Sequence, residues 1–402
     1  MYGWLHLAAL RHPERIAIDA VGEGTVTYAE LLAQANRTRV RAGAGGVVRL
    51  HGGGVRFAID LHGALLAGVA ALPVDGRLSA AEQRLRDQVG ELPYPGVATV
   101  MFTSGTTAAP KPVHLTLRNW EANAIGSALA LGLDAGERWL CVMPLAHVGG
   151  LSILLRSTLY GTTVILHERF DTDAVLEELM DPGRAVTLVS LVPTMLSRLL
   201  DAGLRRPPTL RFALLGGGPI APALLERAAR AGVPVAPTYG MTEGCSQIVT
   251  FGLPLHGVQL RLQDGEVVAR GPSFAANTLA ADGWLRTGDL GAFDAGGRLQ
   301  IIGRRADTIV SGGENVAPAE VEAVLLEHPA VADAGVFARP DAEWGERVVA
   351  RVVLREGRSV TAAELQRFAA GRLARFKVPK EVGFSDALPR TTSGKLVRRQ
   401  LS

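Results

Sequence analysis

The chain has 402 residues, 48% of them hydrophobic and 47 of them glycine. That is too long for one ordinary core, so two or more well-packed α/β domains are expected and a disordered chain is excluded. The 42 basic and 39 acidic residues are interspersed and leave a formal charge of only +3, which argues against a nucleic-acid stripe or a polybasic membrane patch.

Cys141 and Cys245 lack CxxC spacing and read as reduced thiols, not a disulfide or a zinc site. No stretch reaches the roughly 18 uninterrupted apolar residues of a membrane span. The N-terminus has no basic start leading into an apolar run, so a soluble, cytoplasmic protein is expected.

In chain order, Leu5 to Leu10 predicts a short amphipathic helix. Thr27 to Arg41 predicts a second, with Thr27 as N-cap and Glu30 completing a capping box. Phe57 to Leu72 reads as a tightly packed helix before a strand entering Val74, with His62 on its surface.

Val100, Met101 and Phe102 then end a buried strand, and Thr103, Ser104, Gly105, Thr106 and Thr107 put four hydroxyls and a glycine in five positions. Glycine admits a bulky anion close to the backbone, hydroxyls and freed N–H groups donate to it, and Lys111 adds a positive charge. The natural ligand of such a loop is a polyphosphate. It is not the GxxxxGK[ST] loop, because Lys111 lies beyond Pro110 and is not followed by Ser or Thr.

Asn119 to Leu131 is helical and Trp139 to Met143 a strand, so strands and helices alternate and a largely parallel sheet follows. In PLAHVGGLSILLRSTLYGTTVIL, His147 ends a strand beside Gly149 and Gly150, and Arg156 interrupts an apolar helix. A buried arginine needs an anion. It either pairs with a structural acid or reaches solvent, or it clamps a substrate carboxylate in an apolar pocket.

Gly216, Gly218 and Ala221 match the GxGxxA of a dinucleotide fold. The next strand ends in PVAPTYG with no acid for the ribose, which argues against that fold. Tyr239 to Glu243, YGMTE, offers an aromatic face, a hydroxyl and a carboxylate in one turn, suited to a purine, a phosphate oxygen and a divalent cation. In GWLRTGDLG, Asp289 suits two vicinal ribose hydroxyls. A charged break at Gly303 to Asp307 divides the chain into domains of 1–303 and 304–402. SGGEN follows it, and the terminal LPRTTSGKL holds Lys395 in a Ser/Gly turn.

These stretches carry a resemblance. TSGTT with Lys111, YGMTE, GWLRTGDLG, GRRAD with SGGEN, and SGKL stand in the order and rough spacing of the acyl-adenylate-forming superfamily of acyl-CoA synthetases, adenylation domains and luciferases. Within it, PLAHVGGLSILLRSTLYGTTVILHERF, SLVPTML and YGMTEGCSQIVT look most like the o-succinylbenzoate-CoA ligases of menaquinone biosynthesis. The resemblance implies a large N-terminal α/β adenylation domain and a small mobile α+β C-terminal domain. It implies ATP, Mg²⁺ and CoA as cofactor and cosubstrates, with a small carboxylic acid as the acyl donor, and it leaves a homo-oligomer open.

Position by position, it implies that Thr103 to Thr107 and Lys111 hold the β and γ phosphates. Gly216, Gly217, Gly218 and Pro219 flank adenine with Tyr239. Thr242 touches the α-phosphate, Glu243 the Mg²⁺, and Asp289 with Arg304 the ribose. Lys395 bridges the carboxylate and α-phosphate during adenylation. Gly312 and Gly313 line the pantetheine channel, and His147, Gly149, Gly150 and Arg156 belong to the acyl pocket. Ala108 and Pro112 replace two glycines of the usual loop, and Ala306 stands where the hinge often has Asp. Another acyl- or aryl-CoA ligase, a carrier-protein adenylating enzyme and a non-catalytic nucleotide-binding protein are the alternatives.

Overall fold

The computed structural model describes residues 3–38, 46–78, 83, 92, 95–103, 111–391 and 396–401. These part into two compact units. The first is Met1–Gly217, Ala228–Leu260 and Ala269–Leu285; the second is Gly218–Arg227, Arg261–Val268 and Arg286–Ser402.

Short apolar runs such as TVIL, LVSL and FALL leave no polar face, so their strands must be covered on both sides. In the first unit they build a nine-stranded sheet. Its middle is six parallel strands, in the order Val235–Met241, Phe212–Leu215, Leu188–Leu191, Arg138–Cys141, Thr163–Leu166 and Ile16–Ala20. Gly24–Thr27 closes one edge and Ser246–Thr250 with Leu253–Pro254 the other, all antiparallel. A second sheet runs Val47–His51, Ala70–Val74 and Val97–Phe102 in parallel, with Pro112–Thr116 antiparallel at its edge. Pro112 is the first residue of that edge strand, where a missing N–H costs least. The core between sheets and helices includes Leu5, Ile18, Phe57, Trp120 and Trp139, each at most 2% exposed.

The capping box at Thr27 is present, with Glu30 N donating to Thr27 Oγ1 at 3.2 Å and Thr27 N to Glu30 Oε2 at 2.9 Å. The helix it starts is Tyr28–Arg37, capped at Thr38, shorter than the expected run to Arg41. The helix expected over Phe57 to Leu72 is Gly54–Leu66, and Ala70–Val74 is already strand. Gly68, at φ +70°, turns the chain between them. Apolar periodicity alone does not separate the end of a buried helix from the strand that follows it.

His62 is also misplaced by that reading, since it is fully buried. Its helix is packed between the Tyr28–Arg37 helix and the strands Val47–His51 and Ala70–Val74. Thr158 Oγ1 lies 3.3 Å from its Nε2, and burial pushes its pKa down to about 3. Both cysteines are free and buried.

In the second unit, Gln259–Gln263, Glu266–Arg270, Leu285–Phe293 and Leu299–Arg304 form a four-stranded sheet, most of whose residues lie in this unit. A five-stranded sheet joins Glu314–Val316, Ile309–Ser311, Gly345–Leu354 and Val331–Asp341, with Glu381–Phe384 parallel to Gly345–Leu354. Helices Pro318–Leu326 and Ala362–Ala370 supply Val321, Leu325 and Leu365 to a core shared with Val336 and Val348. Among the described residues, no helix is long and apolar enough to cross a membrane.

Candidate active site

Ligands of open α/β sheets collect at the carboxyl ends of the parallel strands. The sequence-predicted residues of the first unit gather at such ends. Thr103 directly follows Val97–Phe102, Gly216 follows Phe212–Leu215, and His147 lies shortly after Arg138–Cys141. Thr242 and Glu243 sit in a 3₁₀ turn immediately after Val235–Met241.

Val97–Phe102 and Pro112–Thr116 form a hairpin whose mouth is pinned by Thr103 N donating to Lys111 O at 3.2 Å. Lys111 is exposed. Ser104, Gly105, Thr106 and Thr107 lie outside the described residues. Pro112–Thr116 packs beside the Thr242–Gly244 turn, so the hairpin and Glu243 share one neighbourhood.

The expected YGMTE turn is only half a turn, because Tyr239, Gly240 and Met241 are still strand. They pair antiparallel with Ser246–Thr250 through a bulge at Tyr239/Gly240. A Cβ at Gly240 would fall 1.8 Å from Ser246 O, so only glycine lets the chain double back that closely. Gly216 packs against the same strand, where a Cβ would meet Thr238 Cγ2 at 2.7 Å, which sets it beside Tyr239's strand. Tyr239, Thr242 and Glu243 are partly exposed. Gly217 belongs to the first unit, and Gly218 and Pro219 to the second.

His147 caps the helix Val148–Tyr160, which carries Gly149, Gly150 and Arg156. Gly150 packs on the turn before it, where a Cβ would lie 2.5 Å from Pro144 O. Arg156 is 2% exposed and has no carboxylate partner among the described residues. Its Nη2 donates to Asn123 Oδ1 at 2.5 Å, its guanidinium lies 5.6 Å from the Trp139 ring centroid, and its Nε has no hydrogen bond among those residues. Burial pulls its pKa down, opposed by the nearby Tyr160 and Cys245. Burial in turn pushes the Tyr160 hydroxyl up to about 12.

Asn123 is a residue the sequence reading missed. Its Nδ2 donates to Gly244 O at 3.3 Å and Gln247 O at 2.7 Å, which ties Arg156 to the turn that carries Glu243.

Asp75 and Arg77 were missed as well. Asp75 follows Ala70–Val74, and Arg77 grips it through Nε at 2.8 Å and Nη2 at 2.7 Å while His147 Nε2 lies 3.2 Å from its Oδ2. Burial pushes the Asp75 carboxyl up, but the His147 and Arg77 hydrogen bonds outweigh it and hold it well below the usual carboxylate range. A polar residue at the end of an apolar strand is the only signal the sequence offers for Asp75.

In the second unit, Asp289 and Arg304 are register partners on neighbouring strands, with Arg304 Nε donating to Asp289 Oδ1 at 2.8 Å. Asp289 is 4% exposed, so its carboxylate is aimed, not solvated. Gly312 and Gly313 form the two-residue turn between Ile309–Ser311 and Glu314–Val316, at φ +61° and +83°. Left-handed backbone at both central positions is what such a hairpin turn needs. The Trp344 ring covers Gly312, which also donates its N–H to Trp344 O at 2.8 Å. Lys395 lies outside the described residues.

Residues 91–273 match the AMP-binding enzyme family and residues 320–395 the AMP-binding enzyme C-terminal domain. The 2-succinylbenzoate–CoA ligase of Bacillus subtilis strain 168 is 37% identical over 476 residues, covering 99% of this chain and 97% of that protein. The ligase of the same name from Geobacillus sp. strain WCH70 is 42% identical over 341 residues, 77% of this chain and 69% of that protein.

Among solved structures, Bacillus subtilis o-succinylbenzoate CoA synthetase in complex with the acyl-adenylate intermediate OSB-AMP superposes with a TM-score of 0.91. It is 36% identical and covers 100% of this chain and 98% of that one. The same enzyme in complex with ATP and magnesium gives a TM-score of 0.89 at 36% identity, covering 99% of each chain. With both family regions matched and such a relative aligned across nearly its whole length, the chain belongs to the AMP-binding enzyme family, the acyl-adenylate-forming superfamily its motifs resemble.

Proposed function

We propose that the protein is an acid–thiol ligase that converts o-succinylbenzoate, ATP and CoA into o-succinylbenzoyl-CoA, AMP and diphosphate, a cytoplasmic step of menaquinone biosynthesis. The observation that carries the choice of acid is Arg156, a buried guanidinium whose described partners are an amide and an indole, so an anion from the substrate completes its pairing. The succinyl carboxylate that is not activated supplies that anion. The relatives named above support the same reading.

In the first half-reaction, an oxygen of the other carboxylate attacks the α-phosphorus and the bond to the β-phosphate breaks, releasing diphosphate. Thr103 to Thr107 and Lys111 hold the departing phosphates. Gly216, Gly217, Gly218 and Pro219 flank adenine with Tyr239, Asp289 and Arg304 take the ribose, and Thr242 touches the α-phosphate. His147, Gly149 and Gly150 shape the acyl pocket. Two anions must meet, so the positive charge of Lys111 and Lys395 offsets their repulsion.

Magnesium, when bound, neutralises the ATP phosphates. One carboxylate, Glu243, beside the Thr242 hydroxyl suits an ion that keeps waters and substrate oxygens as its other ligands. No group of three or more His, Cys, Asp or Glu among the described residues forms a cage of its own. In the second half-reaction the CoA thiol attacks the acyl carbon, loses its proton and expels AMP. We place the mobile domain at 304–402, with Arg304 to Ala306 as the pivot that withdraws Lys395 and brings Gly312 and Gly313 to the pantetheine.

A diphosphate-release assay over a panel of mono- and dicarboxylic acids, with and without CoA, tests the reading. o-Succinylbenzoate should give the highest kcat/KM and free CoA should accept the acyl group. Preference for a monocarboxylate, or turnover only with a carrier protein, would transfer the chain to another acyl-CoA ligase or to a carrier-adenylating enzyme. Glu243→Gln keeps the shape and removes the charge, so it should raise the magnesium concentration needed for half-maximal rate while the melting temperature stays put. Equal activity at limiting magnesium in variant and parent would remove Glu243 from the metal's shell.

A further inference from the structure

One side chain in the second unit joins four elements. Arg398 Nε donates to Val336 O at 3.1 Å, Nη1 to Asp307 Oδ2 at 2.8 Å, and Nη2 to both carboxylate oxygens of Glu322 at 2.8 Å. Glu322 lies in the Pro318–Leu326 helix, is 6% exposed, and also accepts from Val336 N at 2.8 Å. Asp307 is the last residue of the 3₁₀ turn Arg305–Asp307 at the pivot. Arg398 is three residues after Lys395 in the chain.

The tail has anchors of its own. Leu396 forms a bridge with Arg390, Val397 N donates to Pro389 O at 2.9 Å, and Arg390 Nη2 lies 2.7 Å from both oxygens of Asp333. Leu396 packs with Leu388, Leu401, Phe337 and Val349. These contacts and the buried Glu322 pair hold the tail to its domain. The Asp307 arm adds little to that, because both of its side chains keep about a fifth of their surface in water. What it adds is direction, since a planar guanidinium gripping two carboxylates fixes the angle between the elements that carry them.

We infer that Arg398 is a positioning residue that ties the chain directly following Lys395 to the pivot turn through Asp307, so that the lysine arrives in register when the domain takes its adenylation pose. This rests on the adenylation role proposed for Lys395. A misplacement of about 1 Å in a reacting group costs up to 10²-fold in rate, so a loosened lock should appear in one half-reaction only.

The test uses the full-length enzyme and measures two rates separately: diphosphate release with o-succinylbenzoate, ATP and Mg²⁺, and thioester formation from supplied acyl-adenylate with CoA. Asp307→Asn keeps the Glu322 pair intact and should keep the melting temperature. It should slow adenylation about 10- to 10²-fold and leave thioester formation near the parental rate. Arg398→Lys should fall between, because an ammonium is a point charge without the fork that holds both carboxylates.

Combined with Lys395→Ala, Asp307→Asn should cause no further loss, the mark of two residues acting as a unit. If Lys395→Ala is slow in adenylation and Asp307→Asn is not, or if Asp307→Asn slows both half-reactions alike, the lock is overturned and Arg398 only stabilises its domain. If Lys395→Ala itself spares adenylation, the role of the lysine fails first and takes the lock with it.

Discussion

Replacing Lys395 with alanine should slow acyl-adenylate formation by about 10²–10³, the usual loss for one preorganised donor at developing charge. Conversion of supplied acyl-adenylate with CoA should stay near the parental rate. The asymmetry follows from the charges: adenylation drives a carboxylate against a polyphosphate, whereas thioester formation expels one anion from a carbonyl that no longer carries a charge. Stopped-flow diphosphate detection reads the first step, and thioester absorbance or mass spectrometry reads the second. Equal slowing of both steps would mean that the lysine serves the fold or a shared binding step, and the two-pose scheme would lose its main support.

Arg156→Ala should cost roughly 2–5 kcal/mol of transition-state binding for o-succinylbenzoate, because it leaves a substrate charge buried and unpaired. At about 1.4 kcal/mol per tenfold this is a fall in kcat/KM of about 30-fold to several thousand-fold. A monocarboxylate analogue makes no such demand and should lose far less. That comparison also guards against a folding defect, since any loss of folded enzyme lowers both acids equally. Arg156 is buried against Asn123 and Trp139, so some destabilisation is expected as well. Equal losses for the two acids would return Arg156 to a structural role.

The motifs were legible because each packs its chemistry into a few consecutive residues. YGMTE holds its hydroxyl and carboxylate where a strand runs out, and Glu243 stands in the turn just past Val235–Met241; Asp289 of GWLRTGDLG instead lies in the middle of the interior strand Leu285–Phe293. The Asp289–Arg304 pair was legible only through the family resemblance, and the cross-strand register is its physical cause.

What escaped is long-range. Asp75 and Arg77 meet His147 across about 70 residues of chain, and Asn123 meets Arg156 between two helices. No local pattern records such a meeting. His62 was misread for a related reason: its helix is covered on more than one side, while a single polar residue in an apolar run suggests an open face. Tyr239 and Gly240 looked like a turn because glycine marks turns, yet here glycine admits a strand crossing too close for any Cβ.

The proposed reaction passes through an acyl-adenylate, which can be trapped when CoA is withheld. The enzyme, at a concentration comparable with its substrates, is mixed with ATP, Mg²⁺ and o-succinylbenzoate and no CoA, then quenched and resolved by mass spectrometry. About one equivalent per site of o-succinylbenzoyl-AMP should form, matched by diphosphate, and should convert to o-succinylbenzoyl-CoA and AMP when CoA is added. No diphosphate before CoA is supplied, or ADP and phosphate in place of AMP and diphosphate, would contradict this route.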